Sequence, residues 1–176
     1  MQMKIYISGA LDAASDLELA RHKYDELANH LRNFGFLPYV PHHKTDPVLK
    51  SDISSSDVFF NDLNAMLESE ALVAFFDEPS FGVGSEVAIA LERGIPVIGL
   101  IAKDKKFSRF LEGMILASPI GIIFRYPDLE SAALFVKNNL PLNHLPFQAP
   151  KEDSEKPNDR GNFDSWSLWS VPAPQH

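Results

Sequence analysis

Apolar positions along this chain fall into two alternating patterns. Lys4 to Ser8 (KIYIS) is a short β-rich run that stops at Gly9, and it reads as a first strand. From Asp16 to Phe34 the apolar residues Leu17, Ala20, Tyr24, Leu27, Ala28 and Leu31 recur with a helical period, and Gly35 follows as a C-cap glycine would. Phe36 to Val40 is a second strand closed by Pro41, and His42 to Ser54 reads as a polar loop with prolines. Ser54, Ser55 and Ser56 offer N-caps for a helix through Val58, Leu63, Met66 and Leu67. A third strand (Ala71 to Phe76) precedes a helix opened by Glu86 and ended at Gly94. The run Pro96 to Ile101 (PVIGLI) is a fully apolar strand, Phe107 to Met114 a short helix, Ile120 to Arg125 a fifth strand, and Leu129 to Asn139 a last helix.

Alternating β and α units with continuously apolar strands predict an α/β protein. The expected form is a five-stranded parallel sheet covered on both faces, a flavodoxin- or Rossmann-like three-layer sandwich with a strand order such as 2-1-3-4-5. One domain is expected over residues 1–145. From about Pro141 the periodicity dissolves. Residues 146–176 are therefore expected to form a flexible, disordered C-terminal tail, in which Trp166 and Trp169 are either incidental or an anchor.

Composition narrows the partners. A formal charge of −8 argues against a nucleic-acid polymer as ligand. The absence of cysteine removes disulfides, cysteine-zinc sites and thiol nucleophiles. The opening MQMKIYISG lacks a signal-peptide core and no apolar run approaches a bilayer span, so the expected location is cytoplasmic, away from membranes.

Ala71 to Glu86 (ALVAFFDEPSFGVGSE) is the most informative segment. It reads as buried strand, tight loop, helix start, at the strand end where open α/β sheets place their sites. Gly82 and Gly84 would let a ligand approach the backbone closely. Glu86 then points an anion into the crevice, which suits a carboxylate that does chemistry and not a dinucleotide phosphate. Near a helix N-terminus, Glu86 is expected to stay ionised. Asp77 and Glu78 serve equally well as turn residues or ligands. Adjacent His42 and His43 in a strand exit would point opposite ways, so no metal site is expected there. Ser8 lacks the surroundings of a nucleophilic serine.

At these residues the chain resembles the nucleoside 2-deoxyribosyltransferase superfamily, which includes the 2′-deoxynucleoside 5′-monophosphate N-hydrolases. The resemblance is carried by Lys4-Ile5-Tyr6-Ile7-Ser8-Gly9, by Asn61-Asp62-Leu63-Asn64, by Ser80-Phe81-Gly82-Val83-Gly84-Ser85-Glu86, and by Ser108 with Gly113, in family order and spacing. It implies that Glu86 is the nucleophile at C1′ of a deoxyribose, that Tyr6 orients it, and that Asp62 assists the leaving base. It further implies substrate contacts at Gly9, Ser80, Gly82, Gly84 and Ser108. Ser80 and Ser108 would meet a 5′-phosphate, and Ser108 would reach it from the other subunit of a homodimer. No metal or organic cofactor is implied. The ligand would be a small nucleotide or nucleoside.

Serine at position 80 favours the nucleotide hydrolases, because the transferases typically carry an aspartate there. Ala10, Leu11 and Asp12 depart from the serine and arginine of the hydrolases, and Asp12 would oppose a phosphate. Lys103, Lys105, Lys106 and Arg109 are candidate compensating cations. The expectation is N-glycosidic cleavage through a covalent deoxyribosyl-Glu86 with water as acceptor. The alternatives are deoxyribosyl transfer between bases and an inactive nucleotide-binding sensor.

Overall fold

A computed structural model of the protein describes residues 2–11 and 14–141. The expected tail, with Trp166 and Trp169, lies outside the described residues, as does Asp12. Five strands run as β1 (Lys4–Ser8), β2 (Leu37–Tyr39), β3 (Ala71–Phe75), β4 (Val97–Ala102) and β5 (Gly121–Tyr126). All their pairings are parallel and the order is β2-β1-β3-β4-β5, as the pattern predicts. The helices are α1 (Leu17–Asn33), α2 (His42–Thr45), α3 (Ser55–Leu67), α4 (Phe81–Glu92), α5 (Arg109–Leu116) and α6 (Leu129–Asn139).

The two-residue period of β1 divides the protein into its layers. Ile5 and Ile7 join the buried faces of α1 (Tyr24, Leu27, Leu31) and α6 (Ala132, Ala133, Val136) on one side of the sheet. Tyr6 faces the other way, into Met66 of α3, Val83, Val87 and Ala90 of α4, and Ile115 of α5. Each fully buried Leu, Ile or Val contributes roughly 1.5–3 kcal/mol relative to exposure, so these two clusters drive the fold. Helix ends are set locally. Asp16, Ser54, Ser80, Ser108 and Asp128 each accept a first-turn N–H, and Gly35 (φ 90°) and Gly94 (φ 73°) take the left-handed backbone that ends α1 and α4.

Two expectations are corrected. The stretch after Pro41 is not wholly loop: His42–Thr45 forms one helical turn, α2. The segment from Ser80 is not a glycine loop that ends at Glu86. Ser80 caps a helix that starts at Phe81, so Gly82 and Gly84 lie in its first turns and Glu86 in its second. Glycine disfavours a helix by only about 1 kcal/mol, and burial of Val83, Val87 and Ala90 outweighs that.

Candidate active site

The strand order reverses between β1 and β3, and a cleft of ≈ 550 Å³ opens at that point. Its lining includes Gly9 at the end of β1, Asp62 on α3, Thr45 on α2, and Ser80, Gly82 and Glu86 of the α4 segment. Tyr6 lies beneath this lining, fully buried, and its hydroxyl donates to Glu86 Oε1 at 2.7 Å. Ser8, also fully buried, donates to Glu86 Oε2. Each oxygen of one carboxylate thus has its own donor, and both donors come from one strand. Tyr6 and Ser8 share a face because they are two residues apart. Sequence reasoning set Ser8 aside as a nucleophile; the period-two pairing with Tyr6 was the available signal that it faces Glu86.

Burial raises the Glu86 pKa, the donors from Ser8 and Tyr6 pull it down, and the Asp62 charge pushes it up again. The helix N-terminus therefore does not by itself set this pKa: the carboxyl sits a turn further in, where burial pushes it up while its two donors favour the anion. The Tyr6 hydroxyl is pushed far up by burial first and by Glu86 and Asp62 next, so it stays protonated and can only donate.

Asp62 is held from the opposite wall. Thr45 Oγ1 stands 3.0 and 3.1 Å from its two oxygens and 3.0 Å from the Pro41 carbonyl. The Tyr39 hydroxyl is 3.5 Å away, and its ring stacks on Tyr6 with centroids 5.5 Å apart. Burial raises the Asp62 pKa while Thr45 and Tyr39 lower it, and burial pushes Tyr39 up to about 12. Thr45 is itself braced by its neighbour. The buried Asp46 accepts from Arg21 at 2.5 and 2.6 Å and from the Val48 and Leu49 amides, which holds its pKa down at about 2. Tyr39 is placed by the pairing of β2 with β1, opposite Tyr6, and Thr45 by the packing of α2 against α3.

The remaining predicted residues divide. Gly9 borders the cleft, but a Cβ there would come within 2.3 Å of the Tyr24 ring, whose hydroxyl donates to the Ala10 carbonyl. Its bareness thus serves packing. A Cβ on Gly82 or Gly84 would meet no close neighbour. Ser80 borders the cleft and also an adjoining apolar recess of ≈ 660 Å³, where Gly84, Lys106 and Ser108 lie. Within one chain Ser108 is therefore not brought to Glu86. Asp77 is a brace: it accepts from Lys23 at 2.8 Å, from the Ala102 amide at 2.6 Å and from Tyr126. Glu78 accepts from Ser15. Among the described residues, none lining the cleft is a lysine or arginine.

No family model matches the chain. It is 32% identical to a protein of Methanosarcina mazei named as a 2′-deoxynucleoside 5′-phosphate N-hydrolase 1, over 133 residues covering 72% of this chain and 77% of that one. A protein of the same name from Syntrophotalea carbinolica is 28% identical over 150 residues, 82% of this chain and 99% of that one. Among solved structures, a conserved protein of Enterococcus faecalis superposes with a TM-score of 0.63 at 22% identity, covering 80% of this chain and 100% of that one. A CMP N-glycosidase of Clostridium botulinum superposes with a TM-score of 0.59 at 17% identity, covering 78% and 99%. A 2-deoxyribosyltransferase of Bacillus psychrosaccharolyticus does so at 0.55 and 16%, covering 74% and 90%. At these identities the structures speak for the fold, and the sequence relatives for the family. The chain belongs to the family of proteins named 2′-deoxynucleoside 5′-phosphate N-hydrolases.

Proposed function

We propose that the protein cleaves the N-glycosidic bond of a 2′-deoxynucleoside 5′-monophosphate, with Glu86 as nucleophile and water as the final acceptor. The observation that carries this is the double-donor clamp on Glu86, set in a cleft it shares with a second carboxyl. Two buried acids that raise each other's cost of ionisation favour holding one proton between them. The closer donors on Glu86, against contacts of 3.0 Å or longer on Asp62, support a reaction in which Glu86 carries the charge and Asp62 the proton. A Glu86 oxygen attacks C1′ as the C1′–N bond breaks, the bonding pair leaves on the base, and Asp62 protonates it. Water then loses a proton to Asp62 and attacks C1′, which frees Glu86 and releases deoxyribose 5-phosphate. No step calls for a metal or an organic cofactor.

Ser80 at the cleft mouth supports a phosphate contact. The lack of a lysine or arginine among the described residues lining the cleft supports the second reading, in which unphosphorylated deoxynucleosides exchange their base. A homodimer fits the first reading. A partner seated on α4 and α5 would bring Ser108 and Lys106 into play and cover Phe81 and Phe110, which are 100% and 82% exposed.

Product analysis with deoxynucleosides and their monophosphates, each with and without a second free base, tests the proposal. Free base plus deoxyribose 5-phosphate, indifferent to added base, is expected. A new nucleoside formed only with added base would make the protein a transferase. Nucleotide binding without cleavage would make it a sensor. Glu86→Gln should lower kcat/KM by about a thousandfold or more, as removal of a nucleophile does.

A further inference from the structure

We propose that Asp25, His42 and His43 form a binding site for a divalent transition ion such as zinc, separate from the cleft and independent of the function proposed above. The expectation that these adjacent histidines diverge is overturned, because they stand on the α2 turn and not in an extended strand exit. Both rings aim Nε2 at one carboxylate: His42 lies 3.2 Å and His43 2.7 Å from Asp25 on α1. The rings meet edge to face, 84° apart with centroids 4.6 Å apart, so their nitrogen-bearing edges converge and do not stack. One ligand atom from each of the three residues lies within 4.8 Å of the other two. A tetrahedral ion with bonds near 2.0–2.2 Å spaces its ligands roughly 3.3–3.5 Å apart, which these atoms reach by small side-chain rotations.

The donor set selects the class of ion. Two imidazoles and one carboxylate suit zinc, nickel, cobalt or copper over magnesium or calcium, which want oxygen ligands. The His42 side chain is buried, which fixes one ligand in place. Those of His43 and Asp25 are 46% and 40% exposed, which gives an ion access and leaves a position for water. The nearby Arg21 does not repel a cation strongly, because Asp46 and Glu18 already pair with it.

His42 also bounds the affinity. Its Nε2 lies 3.2 Å from the Asp25 carboxylate, which favours the proton there, and its Nδ1 is buried with no partner among the described residues. Coordination through Nε2 moves that proton to Nδ1, where it finds no acceptor. That unpaired proton weakens zinc binding, so saturation is expected at micromolar and not nanomolar zinc.

The test uses the untagged full chain, stripped with chelator. Zinc is titrated by calorimetry and cobalt by visible absorption, for the wild type, His43→Ala, Asp25→Asn and His22→Ala. One equivalent of zinc should bind in the micromolar range. His43→Ala and Asp25→Asn should each weaken binding by at least the roughly tenfold that loss of even an outer-shell partner costs, while His22→Ala leaves it unchanged. Both altered ligands are half-exposed, so their replacement does not threaten the fold. Absence of saturable binding up to about millimolar zinc, binding that survives both substitutions, or equal binding of magnesium would overturn the site.

Discussion

The state of Glu86 turns on two hydrogen bonds from β1. Tyr6 is fully buried and its high pKa makes it a permanent donor. Tyr6→Phe leaves Glu86 Oε1 without a partner in a desolvated place. The Glu86 pKa, already raised by burial, then rises further, because a group that favoured the charged form is gone. In the proposed reaction Glu86 acts as the anion, so the acidic limb of the kcat/KM profile should move to higher pH. Above that limb the rate falls roughly ten- to hundredfold, the worth of a hydrogen bond to a charged group. A pH profile that superimposes on the wild type would dismiss the orienting role of Tyr6. Tyr6, Asp62 and Glu86 were each legible in the sequence because they carry motifs. The partners of Ser8, which stands in the same motif as Tyr6, and of Tyr39 and Thr45 were not, because a hydroxyl acquires a role only from what it faces.

Among the elements, α4 shows function and stability opposed. Gly82 lies in its first turn, beside the cleft, with nothing crowding the place a Cβ would take. A helix gains roughly 0.5–1 kcal/mol when such a glycine becomes alanine. Gly82→Ala should therefore raise the melting temperature by about 1–4 °C, and lower kcat/KM by intruding on the cleft. Calorimetric melting and a steady-state assay on one preparation check both halves. A stabilised variant of undiminished activity would show that the glycine makes no room for substrate. Element order, strand limits and most helices were readable from periodicity, since each is set by residues near in sequence. The start of α4 was misplaced because local glycine content argues for a loop, while the buried Val83, Val87 and Ala90 argue for a helix. The turn at His42 was missed because four residues carry no period.

At the scale of the whole molecule, the exposed aromatics gather on one side. Phe59 and Phe60 on α3, Phe81 on α4 and Phe110 on α5 are exposed; Phe81 and Phe110 line the apolar recess and Phe59 borders the cleft. Exposed apolar patches of this kind mark association surfaces. Light scattering should give a mass of two chains. Phe110→Glu, at a side chain that supports no core packing, should give one chain and lose activity with an unchanged circular dichroism spectrum. A wild-type monomer that turns over normally would remove Ser108 from the substrate site.

The sequence by itself determined the α/β alternation and the five parallel strands, and it singled out the carboxylate after β3 on which the proposed chemistry rests. These follow from period, caps and motif, all read along the chain. Only the tertiary structure decided how that carboxylate is held, since its donors lie 80 and 78 residues away. The same holds for the pKa of Glu86, for the partners of Asp62, and for the meeting of two histidines with Asp25. Desolvation and hydrogen bonding act through space, and no local pattern encodes which distant groups will close around a side chain.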